Sequence, residues 1–509
     1  MTSARRKRAI TVLSGLGLLL LPVLFAVFPL LSLFQQNQSE IELGVLWWPL
    51  GLCVAAAAVV YGLFLLGFRS ATKAAAMASL VAVAFFYYGV VGGWVGLSDR
   101  WFLPLWGVLF LGALVVLVRT RRELGNLALI VGAAAIVLVA GPLARIGVYQ
   151  ANHPELSASD PRLWPDQLAQ PAPQGSAPRR DVYVIVPDDY ARLDVLKRYF
   201  HYPDARFVHQ LKQRGFVISE QARSPYSDSE MNIAAAVNMD YLGGLASILG
   251  TKSQDVRPVR RLIADNRASR LLTSLGYRYV HLDTDEVTFP AGNPDVSSAS
   301  VPDSLTNLWL QKSVLRVLGG PIGFNEAARD ERFRKSVRTG FSKLVAVSGE
   351  PGPKFVLFHT LLPHDPYVFG PQGQSVDFPY HSDQALGARV GLPYYVRQLR
   401  FVNRKLLEAV DAILAHSKTP PVIVIQSDEG FQADAETFGE AATQQIRVKG
   451  LEALYLPGGR GPLVPDPPNT VNTLRFVFNR YFGTHYRLLR SASYPELDFP
   501  YQFEEMRVK

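Results

Sequence analysis

The first 150 residues read as apolar stretches separated by short polar breaks, and the remainder alternates short apolar runs with longer amphipathic ones. The apolar stretches fill 9–34, 45–68, 74–97, 103–118 and 127–144, and each predicts a helix. Four are long enough to cross about 30 Å of hydrocarbon at about 1.5 Å per residue. The stretch 103–118 is short, and Trp101, Phe102 and Trp106 suit a membrane–water interface beside it. A cleaved signal peptide carries one short apolar run, so five in series exclude that reading.

Residues 181–186 form an unbroken β-branched run, which predicts a strand buried on both faces. Further strands are predicted at 216–219, 277–282, 354–359, 421–427 and 451–456. Helical patterns fall at 190–200, 206–213, 231–239, 260–274, 303–318, 331–346, 396–416 and 470–482. This alternation predicts an α/β domain with a mostly parallel sheet. Between the two halves, 150–180 holds six prolines among Ser, Ala, Gln and Asp. It reads as an extended linker with no core of its own, in which Trp164 and Leu168 offer points of attachment. The expected organisation is a transmembrane domain of five helices (1–149), a linker (150–180) and an α/β domain (181–509).

Charge sharpens the picture. The chain of 509 residues carries a net +9, which invites a nucleic-acid reading. Residues 1–150 hold 11 Lys/Arg against 4 Asp/Glu, whereas 151–509 hold 41 against 39. The second part is nearly neutral, so no nucleic-acid partner is expected. Nine of those 11 basic residues precede the first span or lie between spans two and three or four and five. The positive-inside rule makes that side cytoplasmic, and an odd number of spans places 150–509 outside a bacterial cell membrane. The single cysteine, Cys53, lies in the second span, which excludes a disulfide framework, a Cys-based zinc site and a thioredoxin-type motif. No ionisable residue lies inside a span, which favours an anchor over a transporter. The aromatic and Gly-rich run 85–94 could still touch a lipid.

Candidate chemistry sits at two strand ends. The run 182–187 leads into Asp188 and Asp189, and 422–427 leads into Asp428 and Glu429. Open α/β sheets bind ligands beyond the carboxyl ends of their strands. Two acid pairs there suit a hard divalent cation, although Asp is equally at home in turns and helix caps. Ser229 opens the helical run 231–239, whose N–H groups can steady an oxyanion, while Ser227 and Asp228 compete with it as cap. Arg223, Arg447 and Lys449 are candidates for clamping an anionic group or for surface ion pairs. His201, His281 and His485 have no motif around them, and Arg475 and Arg480 are expected to face solvent.

Four segments in order resemble the membrane-anchored sulfatase-like proteins of the alkaline phosphatase superfamily, the branch of lipoteichoic acid synthases and phosphoethanolamine transferases. They are DVYVIVPDDYARLDVLKRYFHY, SPYSDSEMNIAAAVNMDYL, FVLFHTLLPHDPYVFG, and YVRQLRFVNRKLLEAVDAIL followed by PVIVIQSDEG; the tail NTVNTLRFVFNRYFG is similar to the family's last helix. The resemblance spans 181–509 and implies an alkaline-phosphatase-like fold behind a five-helix anchor. It implies Asp188 and Asp428 as metal ligands, with Asp189 resembling the paired acids of sulfatases, and Ser229 in the place of the family's Thr nucleophile. It implies His364 as a substrate contact; His359 lies close by in sequence and could equally cap its strand. Glu429 departs from the pattern, standing where a His ligand is expected. The ligand set Asp188, Asp189, Ser229, Asp428 and Glu429 is then all oxygen, which favours one Mg, Mn or Ca ion over Zn. The implied activity is transfer of a phosphoryl-linked head group from a membrane lipid to an envelope glycan or lipid acceptor through a covalent Ser intermediate. The alternatives are a hydrolase of the same fold and an inactive relative acting as a scaffold in envelope assembly. The Cys/Ser-x-Pro-x-Arg motif of type I sulfatases is absent from SPYSD, which disfavours that class.

Overall fold

The structure is a computed structural model, and it describes residues 3–120, 125–153, 155–166, 168–170, 179–284, 296–298, 304–318, 326–376, 388–458 and 462–508. The chain divides into two compact units, Met1–Pro154 with Pro302–Arg329, and Glu155–Val301 with Asp330–Lys509.

The first unit is helical: Ser3–Gln36, Trp47–Phe68, Ala71–Phe86 with Tyr88–Val95, Asp99–Arg119 and Gly125–Asn152. Four of these contain segments long and apolar enough to cross a membrane, with mean hydropathy of 2.0 to 2.4. The helices Ala71–Phe86 and Tyr88–Val95 bend by 57° and make a fifth if counted as one span. The short fourth stretch becomes a helix of 21 residues, because Asp99–Phe102 add a turn at its start and Arg119 a residue at its end. Short polar breaks end one helix and start the next. Arg69 takes a left-handed φ of 51° after Phe68, and the Ser70 side chain accepts from Lys73 N.

Residues 302–329 read in the sequence as part of the α/β domain, but their contacts lie in the helical unit. Trp309, on helix Ser304–Lys312, stacks on Phe86 at 5.3 Å, and Val314 N donates to Phe85 O at 2.9 Å. Gly89 permits the approach, since a Cβ there would lie 2.6 Å from Lys312 O.

The second unit holds a seven-stranded sheet. Its strands are β1 (Val182–Asp188), β2 (Val217–Ile218), β3 (Arg278–Asp283), β4 (Val296–Ser298), β5 (Lys354–Pro363), β6 (Val422–Gln426) and β7 (Glu452–Tyr455). The order is β2-β7-β6-β1-β5-β3-β4. β1 pairs in parallel with β5 and β6, and β3 with β4 and β5, while β7 runs antiparallel to β6 and β2. The sheet is therefore mixed, with β7 the reversed strand.

Successive β1 residues enter opposite cores, which is why the strand reads as an unbroken apolar run. Val182, Val184 and Val186 pack with Ile233, Leu262, Leu272 and Val477 on one face. Tyr183 and Ile185 pack with Leu196, Phe341, Leu399 and Val402 on the other. The expected helix 260–274 is two helices, Arg257–Ala264 and Arg267–Ser274. Asn266 interrupts it by capping the second, accepting from Ser269 N at 2.7 Å.

The first half of the expected linker is folded. Leu156, Ala158, Leu163 and Trp164 are buried in the first of these cores, and Trp164 donates to Ala158 O at 2.8 Å. The expectation for Arg475 is also corrected. It is 1% exposed, donating to Met239 O at 2.6 Å and facing Asp240 at 3.4 Å and Asp166 at 3.3 Å. Position on the amphipathic helix Thr470–Tyr481 points Arg475 inward, where three acceptors compensate its charge.

Candidate active site

The register of four parallel strands builds the site. Val186 of β1 lies opposite His359 of β5, and Asp283 at the end of β3 also lies opposite His359. Ile185 lies opposite Ile425 of β6, so the segments carrying Asp188 and Asp428 leave the sheet side by side. The β1–β5 pairing shifts register between Pro187 and Asp188, and Asp189 then takes a left-handed φ of 60°, which Asp tolerates better than most residues. Ser427 ties the two exits together. Its hydroxyl accepts from Tyr190 N at 3.0 Å and lies 2.9 Å and 2.6 Å from the Pro187 and Glu429 carbonyls.

Helix Ser229–Asn238 supplies the serine. Asp228 is its cap, accepting from Met231 N at 2.8 Å. That leaves the hydroxyl of Ser229, the first helical residue, free for other partners. It lies 3.3 Å from Asp188 Oδ1 and 3.2 Å from Glu429 Oε1. Asp428 Oδ1 accepts from Glu429 N at 2.7 Å, which fixes its carboxylate.

Ligand atoms of Asp188, His359 and Asp428 lie within 4.8 Å of one another, as do those of Asp188, Asp189 and Glu429. All five residues are buried. Asp189 Oδ1, Asp428 Oδ2 and Glu429 Oε2 accept no hydrogen bond among the described residues, although each is shielded from solvent. Buried, unpartnered carboxylate oxygens at this density fit a cation. The cluster could thus hold a metal ion.

His359 changes its chemistry. Its Nε2 stands 3.8 Å from Asp188 and 3.9 Å from Asp428, and its Nδ1 is held 3.2 Å from the Asp283 carboxylate. The donor set is therefore not oxygen alone, and the reason for preferring Mg, Mn or Ca to Zn falls away.

Electrostatics follow from crowding acids in a buried space. Burial, reinforced by Asp188 and opposed by His364, pushes Asp189 up to about 7. Burial and the neighbouring carboxylates raise Asp428 and Glu429 well above the usual range. Burial disfavours the charged form of His359, yet Asp283 and Asp188 outweigh it and raise its pKa. His364 behaves likewise: burial opposes its charge, and Asp189 and Asp365 overcome it. Its Nε2 is 3.9 Å from Asp189 and its Nδ1 is 2.8 Å from Asp365.

The arginines divide. Arg447 is committed to Glu496 at 2.7 Å and to Ser227 O at 3.2 Å, although its charge still lowers the pKa of Glu429. Arg223 lies one residue before Ser224, whose hydroxyl donates to Asp428 O at 2.5 Å; among the described residues no hydrogen bond or ion pair joins the Arg223 side chain to the carboxylates. Asp283 escaped the sequence reading, which weighed adjacent acid pairs at strand ends and passed over a single acid at the end of β3. His281 is buried in β3, and burial lowers its pKa to about 4.

Together, the fold and the site define an α/β unit with a buried acid–histidine cluster beside a helix-borne serine. Among solved structures, the chain is similar to the zinc complex of the C-terminal periplasmic domain of EcEptC from Escherichia coli, at 10% identity and TM-score 0.42, covering 63% of this chain and 87% of that one. It is similar to the integral membrane lipooligosaccharide phosphoethanolamine transferase A from Neisseria meningitidis at 11% identity and TM-score 0.38, covering 86% and 88%. The 2-O GAG sulfatase BT1596 matches at 15% identity and TM-score 0.41, covering 61% and 72%. No protein-family model and no curated protein matches the chain.

Proposed function

We propose that the chain is a membrane-anchored transferase. It moves a phosphoryl-linked head group from a lipid donor to an envelope acceptor through a covalent intermediate on Ser229. The observation that carries this reading is the placement of the Ser229 hydroxyl 3.3 Å from Asp188 and 3.2 Å from Glu429 at a helix N-terminus. A free serine hydroxyl is a weak nucleophile and needs a base or a metal beside it. Asp188, Asp189, Asp428, Glu429 and His359 would hold one divalent cation. When bound, it would lower the serine pKa and offset charge on the reacting phosphoryl oxygens.

The remaining chemistry belongs to the chain. Ser229 Oγ attacks phosphorus and its proton passes to Glu429. The Ser–O–P bond forms as the lipid P–O bond breaks, and the departing lipid oxygen takes a proton from His364, whose acidic neighbours keep it charged. An acceptor hydroxyl then attacks the same phosphorus, its proton passing to His364; the Ser–O–P bond breaks as the phosphoryl-linked group moves to the acceptor oxygen, and Ser229 recovers its proton from Glu429. N–H groups at the start of helix Ser229–Asn238 steady the oxyanion. Asp283 acts through His359 as a positioning residue. The helical unit keeps this chemistry near lipid head groups.

The hydrolase alternative differs only in using water as acceptor. Against an inactive scaffold stands the convergence of five donor residues, three of which, Asp189, Asp428 and Glu429, keep a buried carboxylate oxygen that accepts no hydrogen bond among the described residues. Mass spectrometry of the full chain after incubation with membrane lipids and a divalent cation tests the proposal. A lipid-derived adduct is expected on Ser229 and is expected to vanish in Ser229→Ala. No adduct on the wild type while lipid is being consumed would sink the covalent route.

A further inference from the structure

Three chain segments are laced together beside the acid cluster. Arg192 N donates to Lys449 O at 2.7 Å, Arg192 Nη1 donates to Ala222 O at 2.9 Å, and Ser224 N donates to Val448 O at 2.9 Å. This stitching places Arg192, Arg223 and Lys449 in one patch. Arg192 is neutralised by Asp194, which accepts from its Nε at 2.7 Å and its Nη2 at 2.9 Å. Arg223 and Lys449 are not neutralised. Each is half-buried, and neither takes part in an ion pair among the described residues. The Nε of Arg223 is shielded from solvent and has no hydrogen-bond partner.

Such an arrangement costs stability. Burial first, and then the charge of Arg192, lower the pKa of Arg223. Burial also leads the causes that lower Lys449, with Arg192, Arg223 and Arg198 adding to it and Asp194 alone opposing. A solvated cationic surface would spread these charges, and a structural cluster would pair them. Rigidly held, unpaired cations with a desolvated donor fit an oxyanion, to which guanidinium offers a fork and ammonium a point charge.

The patch adjoins the site through the backbone. Arg223 precedes Ser224, which donates to Asp428 O at 2.5 Å. Lys449 precedes Gly450, where a Cβ would lie 2.7 Å from Glu429 O.

We propose that Arg223 and Lys449 form a subsite for a second anionic group of the phosphate class, so that the molecule processed at Ser229 carries at least two such groups. The link to turnover rests on the Ser229 reading above; the binding site does not. Inorganic phosphate is the probe, titrated calorimetrically at low salt into the full chain in neutral detergent. EDTA removes metal first, so that the acid cluster repels the anion. Wild type and Ser229→Ala are expected to bind equally, Arg223→Ala and Lys449→Ala each to bind at least about tenfold more weakly, and Lys449→Arg to recover most of the loss. Equal binding by wild type and the double alanine variant, or no binding by either while thermal melts show both folded, overturns the subsite. Phosphate binding without a Ser229 adduct leaves the subsite standing and removes only the covalent route.

Discussion

The chemistry of single residues here is decided by neighbours that are distant in sequence. Asp188 and Asp428 look alike along the chain as acids after strands, but what matters is that they share one buried space with Asp189, Glu429 and His359. Carboxylates so placed repel one another unless a cation or protons intervene. Chelating the metal at pH 8 is therefore expected to lower the melting midpoint of the wild type. Glu429→Gln should melt higher than the wild type in EDTA and lower in saturating Mn. Relief of about 1–2 kcal/mol of repulsion corresponds to roughly 2–8 °C. The same order of melting in both buffers would contradict the shared site.

Asp204 offers a separate test away from the cluster. Burial pushes it up to about 6, against hydrogen bonds from Tyr190 and Asn403. The folded state holds this proton more tightly than the unfolded chain does. Stability is thus fully present below about pH 3, falls by about 3 kcal/mol in all as pH rises through about 6, and levels above about pH 7. Urea unfolding of Asp204→Asn should gain on the wild type by that amount across the window; parallel curves would refute the assignment.

At the scale of elements, periodicity located almost every strand and helix of the α/β unit, and missed where local chemistry cut across it. The break at Asn266 is a cap inside an apolar pattern. The short helices Gly243–Leu249, Ala435–Phe438 and Glu440–Arg447 are too brief to show a period. Arg475 illustrates the limit from the other side. An arginine on an amphipathic helix is read as solvent-facing, yet this one is enclosed by Asp240, Asp166 and the Met239 carbonyl. Arg475→Ala is expected to destabilise the chain by about 3–5 kcal/mol in chemical denaturation, because Arg267, at 3.5 Å, would be left as the cation facing the buried Asp240. A loss under about 1 kcal/mol would show the pair to be solvated.

At the scale of the molecule, the basic loops and the apolar helices make one claim about topology. With Cys53 replaced by Ser, a cysteine at Thr72, in the first turn of the third helix, should label with an impermeant maleimide only after cells are opened. A cysteine at the exposed Glu436 should label in intact cells. The reverse pattern would invert the orientation and place Ser229 on the cytoplasmic side. The helical unit also recruits residues 302–329, and the α/β unit recruits 155–166. The first is not visible in a linear reading; for the second, Trp164 and Leu168 mark the points of attachment, but a Pro-rich segment looks otherwise the same free or docked.

What the sequence determined by itself is what short-range pattern encodes. The apolar helices, the two-faced burial of β1, the paired acids at two strand ends and the serine at a helix start all follow from periods of 2 and 3.6 and from local capping. What the tertiary structure decided is which strand ends meet. The parallel register of β1, β5 and β3 brings His359 to Asp188 and Asp283, residues 171 and 76 positions away in sequence. That meeting turned an all-oxygen cage into a mixed one. Register is a property of strand pairing, set by packing on both faces of the sheet, and no single segment carries it.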